Sequence, residues 1–163
     1  MRKPWTKSTV FCIVLQMSVL QPTHTIRGIV RKGNQLGRTL GYPTANLVLH
    51  QDIADGVYVS VVNIDRVSAA LQKKYRPQAV VYKNGLWLPS VTFIGAAETF
   101  GGTKKKVEAH VFDFNGNLYG KWLTVHLVSS LRGSKKFATV EELLDAMHTD
   151  EARAREFFTT HIS

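Results

Sequence analysis

The sequence predicts a mainly β protein: a small closed antiparallel β-barrel of about six strands, with C-terminal α-helices packed on it. Three observations carry that expectation. Short runs rich in β-branched and aromatic residues recur from His24 to Ser129, separated by tight-turn pairs such as Asp55-Gly56, Asn84-Gly85 and Asn115-Gly116. Helical periodicity is nearly absent before Thr139 and dominates after it. The regular spacing of the strands favours closure over an α/β sheet, because closure removes exposed edges.

The elements follow in order. Thr25 to Arg31 alternates apolar and polar residues for part of its length, as a half-buried strand does, and leads into a glycine-rich stretch. Asn46 to Leu49 reads as a short strand, and Gly56 to Ile64 as a longer one, dense in valine. Asp65 to Pro77 is polar and basic, irregular or briefly helical. Gln78 to Tyr82 and Leu86 to Ile94 flank Lys83-Asn84-Gly85 as the two arms of a hairpin, and Gly95 to Gly102 is a loop. Val107 to Phe114 and Trp122 to Ser129 complete the strands. Thr139 and Glu142 have the spacing of a capping box, with Val140, Leu143, Leu144 and Met147 on one helical face. Thr149 or Asp150 is expected to cap a second helical piece running through Phe158.

With 163 residues, 44% hydrophobic and 20% charged, the chain suits one globular domain with a real core. We expect it over residues 24–160, preceded by an N-terminal extension over 1–23. There Arg2, Lys3 and Lys7 precede the apolar run Val10–Leu20, but no small-residue cleavage site follows, and the run is too short to span a bilayer. An over-extended start, with translation beginning at Met17, is the plainer reading. The net charge of +9 favours polyanions: nucleotides, nucleic acid or an anionic surface. Cys12 is the only cysteine, so an internal disulfide and a cysteine-based zinc site are excluded, which fits a reducing, cytoplasmic setting.

The chemistry concentrates in Gly33 to Leu47. Gly33, Gly37 and Gly41, with Arg38 beside the second, outline a loop whose amides can converge on phosphate, although the spacing alone also fits a glycine-rich hairpin. Beyond Pro43, Thr44 and Asn46 are two residues apart and present a hydroxyl and an amide carbonyl on one side of an extended backbone. Such hard oxygens suit Mg²⁺ that leans on substrate phosphates. There is no Walker A ending, no dinucleotide fingerprint, no nucleophile elbow and no histidine pair at metal spacing. Glu108 interrupts an apolar strand after Lys104, Lys105 and Lys106, on the same face as His110 and Phe112. It is either a solvated outward residue or a general base for an alcohol, with the lysines helping to neutralise phosphate.

Taken together, Gly33-x-x-x-Gly37-Arg38-x-Leu40-Gly41-Tyr42-Pro43-Thr44-Ala45-Asn46-Leu47, Asp55-Gly56-Val57-Tyr58, Ile94-Gly95, Val107-Glu108-Ala109-His110, Leu118-Tyr119-Gly120, Leu131-Arg132, Lys136-Phe137, Glu141-Glu142-Leu143 and Asp150 resemble riboflavin kinase over residues 25–158. The resemblance implies transfer of the ATP γ-phosphoryl group to the 5′-hydroxyl of riboflavin, giving FMN and ADP. It implies Gly33, Gly37, Arg38, Gly41 and Thr44 at the ATP phosphates, Thr44 and Asn46 on Mg²⁺, and Glu108 as the catalytic base. Arg132, in a loop before the helix, would stand with Glu108 at the flavin. A cytoplasmic monomer without nucleic-acid or membrane partners is expected. Two features depart from the family pattern: Gly133 and Ser134 where an acidic residue is usual, and Ala96-Ala97-Glu98-Thr99 after Gly95. No His-x-Gly-His adenylyltransferase motif occurs, so the reaction should stop at FMN. The alternative is a non-catalytic flavin- or nucleic-acid-binding barrel. Against the nucleic-acid form, the lysines cluster in one loop while most aromatics sit in core-like strands.

Overall fold

The structure, a computed structural model, describes residues 21–33, 36–80, 85–96 and 105–162. The N-terminal extension to residue 20, the Lys83-Asn84 turn, the loop over 97–102 and Lys104 lie outside the described residues. Six strands form one antiparallel sheet: β1 (His24–Ile29), β2 (Ala45–Val48), β3 (Gly56–Ile64), β4 (Trp87–Ala96), β5 (Lys105–Val111) and β6 (Trp122–Gly133). Their order is β1-β6-β3-β4-β5-β2. The first and last strands meet again just beyond β1, where the Arg31 amide donates to the Asn46 carbonyl at 2.9 Å, so the sheet is a nearly closed barrel.

The valine-rich run of β3 is explained by its place. Tyr58, Val62 and Ile64 enter the barrel core with Ile26, Leu88, Ile94, Val107, Leu123 and Leu127, while Val59 and Val61 face outward into smaller apolar clusters. A strand covered on both faces reads as continuously apolar. The outer cover is α3 (Val140–Ile162), which presses Ala154, Phe157 and Phe158 against Val59, Val61 and Phe112. Its start follows the expected capping box: Glu142 N donates to Thr139 Oγ1 at 3.2 Å, and Ala138 N donates to Glu142 Oε2 at 3.0 Å.

Two expectations are corrected. The second helical piece does not exist separately, because α3 runs unbroken for 23 residues. Thr149 donates its hydroxyl back to the Asp145 carbonyl at 2.9 Å as a mid-helix threonine does, and no Gly or Pro breaks the chain there. Gln78 belongs to a short 3₁₀ turn (Arg76–Gln78) and only Val80 bridges Trp87, so the expected Gln78–Tyr82 strand is a single bridge among its described residues. The polar excursion before it is briefly helical, as expected: α2 (Ala69–Tyr75) is capped by Ser68, whose hydroxyl accepts from Leu71 N at 3.3 Å. Between β1 and β2 lies a single helical turn, α1 (Leu36–Thr39).

Candidate active site

Strand alternation sends Val107, Ala109 and Val111 of β5 into the barrel, so Lys106, Glu108 and His110 face outward, under α3 and the α1–β2 connection. The register of β5 against its neighbours places Glu108 between Asn46 on β2 and Phe93 on β4. Thr44 precedes β2 and reaches the same spot. Its hydroxyl stands close enough to favour the ionised Glu108 carboxylate, while the Asn46 amide donates to the Thr44 carbonyl at 3.3 Å and to its hydroxyl at 3.4 Å. Thus Thr44, Asn46 and Glu108 converge as the sequence predicts.

Burial dominates the electrostatics of Glu108 and raises its pKa above the ordinary carboxylate value. Lys106, two residues away on the same face, and the Thr44 hydroxyl pull it partly back. The lysine run therefore divides. Lys106 faces the site, but Lys105 is bonded to Asp52 at 3.3 Å, Asp55 at 3.2 Å and the Ile53 carbonyl at 2.8 Å, and is committed to structure.

Two cavities meet at this point. One, of about 450 Å³, is lined by Gly33, Arg38, Asn115 and Tyr119 among others. The other, of about 360 Å³, holds Glu108 and Arg132 and is walled by Phe93, Phe137, Leu143 and Met147. Both are of the size that takes a small ligand. Thr44 and Asn46 are the two residues that line both, so they form the shared wall.

Each of the three glycines has its own local surroundings. A Cβ on Gly33 would stand 2.5 Å from Asn46 Oδ1, so any side chain there would have to push the Asn46 amide aside. Gly37 lies inside α1, its carbonyl accepting from Tyr42 N at 2.6 Å, and a Cβ on it would collide with the Tyr42 carbonyl. Gly41 has φ +82° and donates its amide to the Arg38 carbonyl at 3.2 Å. It lines neither cavity, and its positive φ suits the turn. Arg38 remains exposed on the rim of the larger cavity.

Arg132 is on strand β6, not in a loop, and this changes how it is held. Its Nε donates to both Asp150 oxygens at 2.9 and 3.1 Å and its Nη2 to Oδ2 at 2.7 Å, with the guanidinium 5.6 Å from the Phe137 ring centre. Asp150, on α3 and 4% exposed, was legible only as a helix cap or motif residue; its role as the arginine's partner comes from packing. The apolar wall of Phe93, Phe137, Leu143 and Met147 was also not identified from sequence. Its one available signal was the unusual Phe93-Ile94-Gly95: the Phe93 ring lies where a Gly95 Cβ would stand, at 2.5 Å from Cζ.

The donor set suits a hard cation. Among the described residues no three His, Cys, Asp or Glu side chains converge to hold a metal alone. Thr44 and Asn46 offer two neutral oxygens, and the space kept open by Gly33 lies against Asn46 Oδ1. Mg²⁺, which takes few protein ligands and completes its shell with water and phosphate, fits such a pair.

Comparison with known proteins identifies the family of the chain. The family model described as riboflavin kinase matches residues 20–158. The bifunctional riboflavin kinase/FMN adenylyltransferase of Escherichia coli is 34% identical over 149 residues, covering 90% of this chain and 42% of that protein. A crystal structure described as a macrolide-efflux protein from Streptococcus pneumoniae superimposes with a TM-score of 0.63 at 31% identity, covering 95% of this chain and 48% of the other. Riboflavin kinase from Trypanosoma brucei shares the fold, with a TM-score of 0.50 at 20% identity over 83% of this chain and 79% of that one. The chain spans less than half the length of the two bacterial relatives.

Proposed function

Because the chain belongs to the riboflavin kinase family, we propose that it transfers the γ-phosphoryl group of ATP to the 5′-hydroxyl of riboflavin, releasing FMN and ADP. The observation that carries the reading is the shared wall. Thr44 and Asn46 border both cavities, and Glu108 stands beside them on the side lined by aromatic and aliphatic residues. The apolar cavity suits the flat isoalloxazine ring, and the one carrying Arg38 suits the nucleotide.

Glu108 accepts the proton of the ribityl hydroxyl as its oxygen attacks the γ-phosphorus. The bond from that phosphorus to the bridging oxygen breaks, and ADP leaves with the electron pair. Burial makes Glu108 a better proton acceptor than a solvated carboxylate, and Lys106 keeps it ionisable. Thr44 and Asn46 would hold Mg²⁺, which would neutralise phosphate charge when bound with ATP. Arg38 adds a cation at the nucleotide side, and Gly33 leaves room for the phosphates. Arg132, locked in orientation by Asp150 and lying over the Phe137 ring, borders the flavin. A reaction that consumes ATP fits the cytoplasm, where a monomer is expected to carry it out.

The test is a chromatographic assay with riboflavin, ATP and Mg²⁺, run beside Glu108→Gln and a magnesium-free control. FMN that depends on both Glu108 and metal, without FAD, is the expected result. Absence of FMN with riboflavin fluorescence still quenched would leave a flavin-binding barrel instead.

A further inference from the structure

We propose that His110 is a positioning residue for this reaction: its Nδ1–H holds the Pro43 carbonyl and thereby fixes the turn that delivers Thr44 to Glu108. The inference rests on the functional reading above, but its central bond can be tested without turnover. The paired register of β2 and β5 ends at Ala45 opposite Ala109. Proline 43 has no amide hydrogen to extend the ladder, and the side chain of His110 takes over, with Nδ1 2.9 Å from the Pro43 oxygen. A carbonyl only accepts, so Nδ1 carries the hydrogen and Nε2 is left for the other side of the ring.

That ring is fixed on several sides. The Tyr42 ring centre is 5.0 Å away and that of Phe112 6.0 Å. Nε2 lies 4.0 Å from Glu151 Oε2 of α3, and Glu151 is itself bonded to Arg155 at 2.8 Å. The ring of Pro43 fixes its φ, so one soft torsion aims its carbonyl, and pinning that carbonyl sets the plane of the peptide entering Thr44. Thr44 in turn lines the cavity that holds Glu108 and receives the Asn46 amide. A single imidazole therefore ties the strand bearing the base to the turn bearing the phosphate-side oxygens, across 67 residues of sequence. Displacements of about 1 Å at such points are enough to slow a positioned phosphoryl transfer about 100-fold.

Two substitutions separate the donor from the ring. His110→Asn retains an amide N–H near the place of Nδ1 but has no aromatic ring, whereas His110→Phe retains a ring but has no donor. Positioning through the bond predicts FMN formation within about threefold of wild type for Asn and a kcat about 10- to 100-fold lower for Phe, with riboflavin quenching little changed in both. A Phe variant as active as the Asn variant would reduce His110 to packing and overturn the proposal. Long-range ¹H–¹⁵N spectra of the wild-type imidazole provide an independent reading: a neutral ring protonated at Nδ1 supports the bond, and one protonated at Nε2 overturns it whether or not any variant folds. A wild-type protein that made no FMN would sink the functional reading, while the tautomer would still decide the His110–Pro43 bond.

Discussion

The two faces of β5 differ as sharply as any two regions of the molecule. Inward, Val107, Ala109 and Val111 are 0%, 1% and 5% exposed and join one apolar core. Outward, Lys106, Glu108 and His110 carry a cation, a carboxylate and an imidazole along one cavity wall. The inner face contributes stability through area removed from water. The outer face carries a carboxylate whose burial opposes its ionisation. Stability and chemistry are thus sorted by a period of two residues, and substitutions on the two faces should have nearly separable effects.

The largest expected effect comes from the outer face. Glu108→Gln should lower kcat by about two to four orders of magnitude with riboflavin binding little altered. Wild-type turnover in that mutant would remove Glu108 from the mechanism. Its pH behaviour sharpens the contrast. Because the folded pKa lies above the ordinary value of 4.5, the base loses activity on the acid side at a higher pH than a solvated glutamate would. For stability the sign is opposite to that of a paired carboxylate: the contribution is full below the unfolded pKa and is lost as pH rises through the raised value. Melting curves of wild type and Glu108→Gln should therefore converge in acid and separate above that window in favour of Gln. Asp113, whose pKa is lowered chiefly by its bond to Arg155, loses its contribution as pH falls, but identically in both proteins.

On the inner face, Leu88→Ala should cost about 2–5 kcal/mol, since Leu88 is fully buried in the barrel core. Denaturant titration measures this, and activity per folded molecule should hold. A large fall in kcat without loss of stability would break the separation of faces. Asp150→Asn lies between the two classes. It removes the charge that orients Arg132, and should cost about 1–3 kcal/mol while raising the riboflavin KM more than the ATP KM. Equal changes in both KM values would detach Arg132 from the flavin side. The smallest effect is expected far from both faces: Thr139→Ala removes the cap of α3 and should cost about 1 kcal/mol, with kcat unchanged.

Much of this architecture is written locally. The valine-rich β3, the turn pairs, the capping box at Thr139 and the Pro43-Thr44-Ala45-Asn46 block follow from spacing and side-chain chemistry, and Glu108 stands out as a charge in an apolar strand. Strand alternation alone puts Glu108 and His110 on one face. The sequence by itself determined which residues could do chemistry and which kind of fold would carry them. The tertiary structure decided which of them meet. The pairing of β2 with β5 sets Asn46 opposite Glu108, packing of α3 brings Asp150 to Arg132 across 18 residues, and His110 reaches Pro43 across 67. The same packing commits Lys105 to Asp52 and Asp55 and closes Gly41 into a turn. Local patterns report propensity and periodicity within a few residues. Long-range register and burial depend on every element at once, and no short window of sequence contains them.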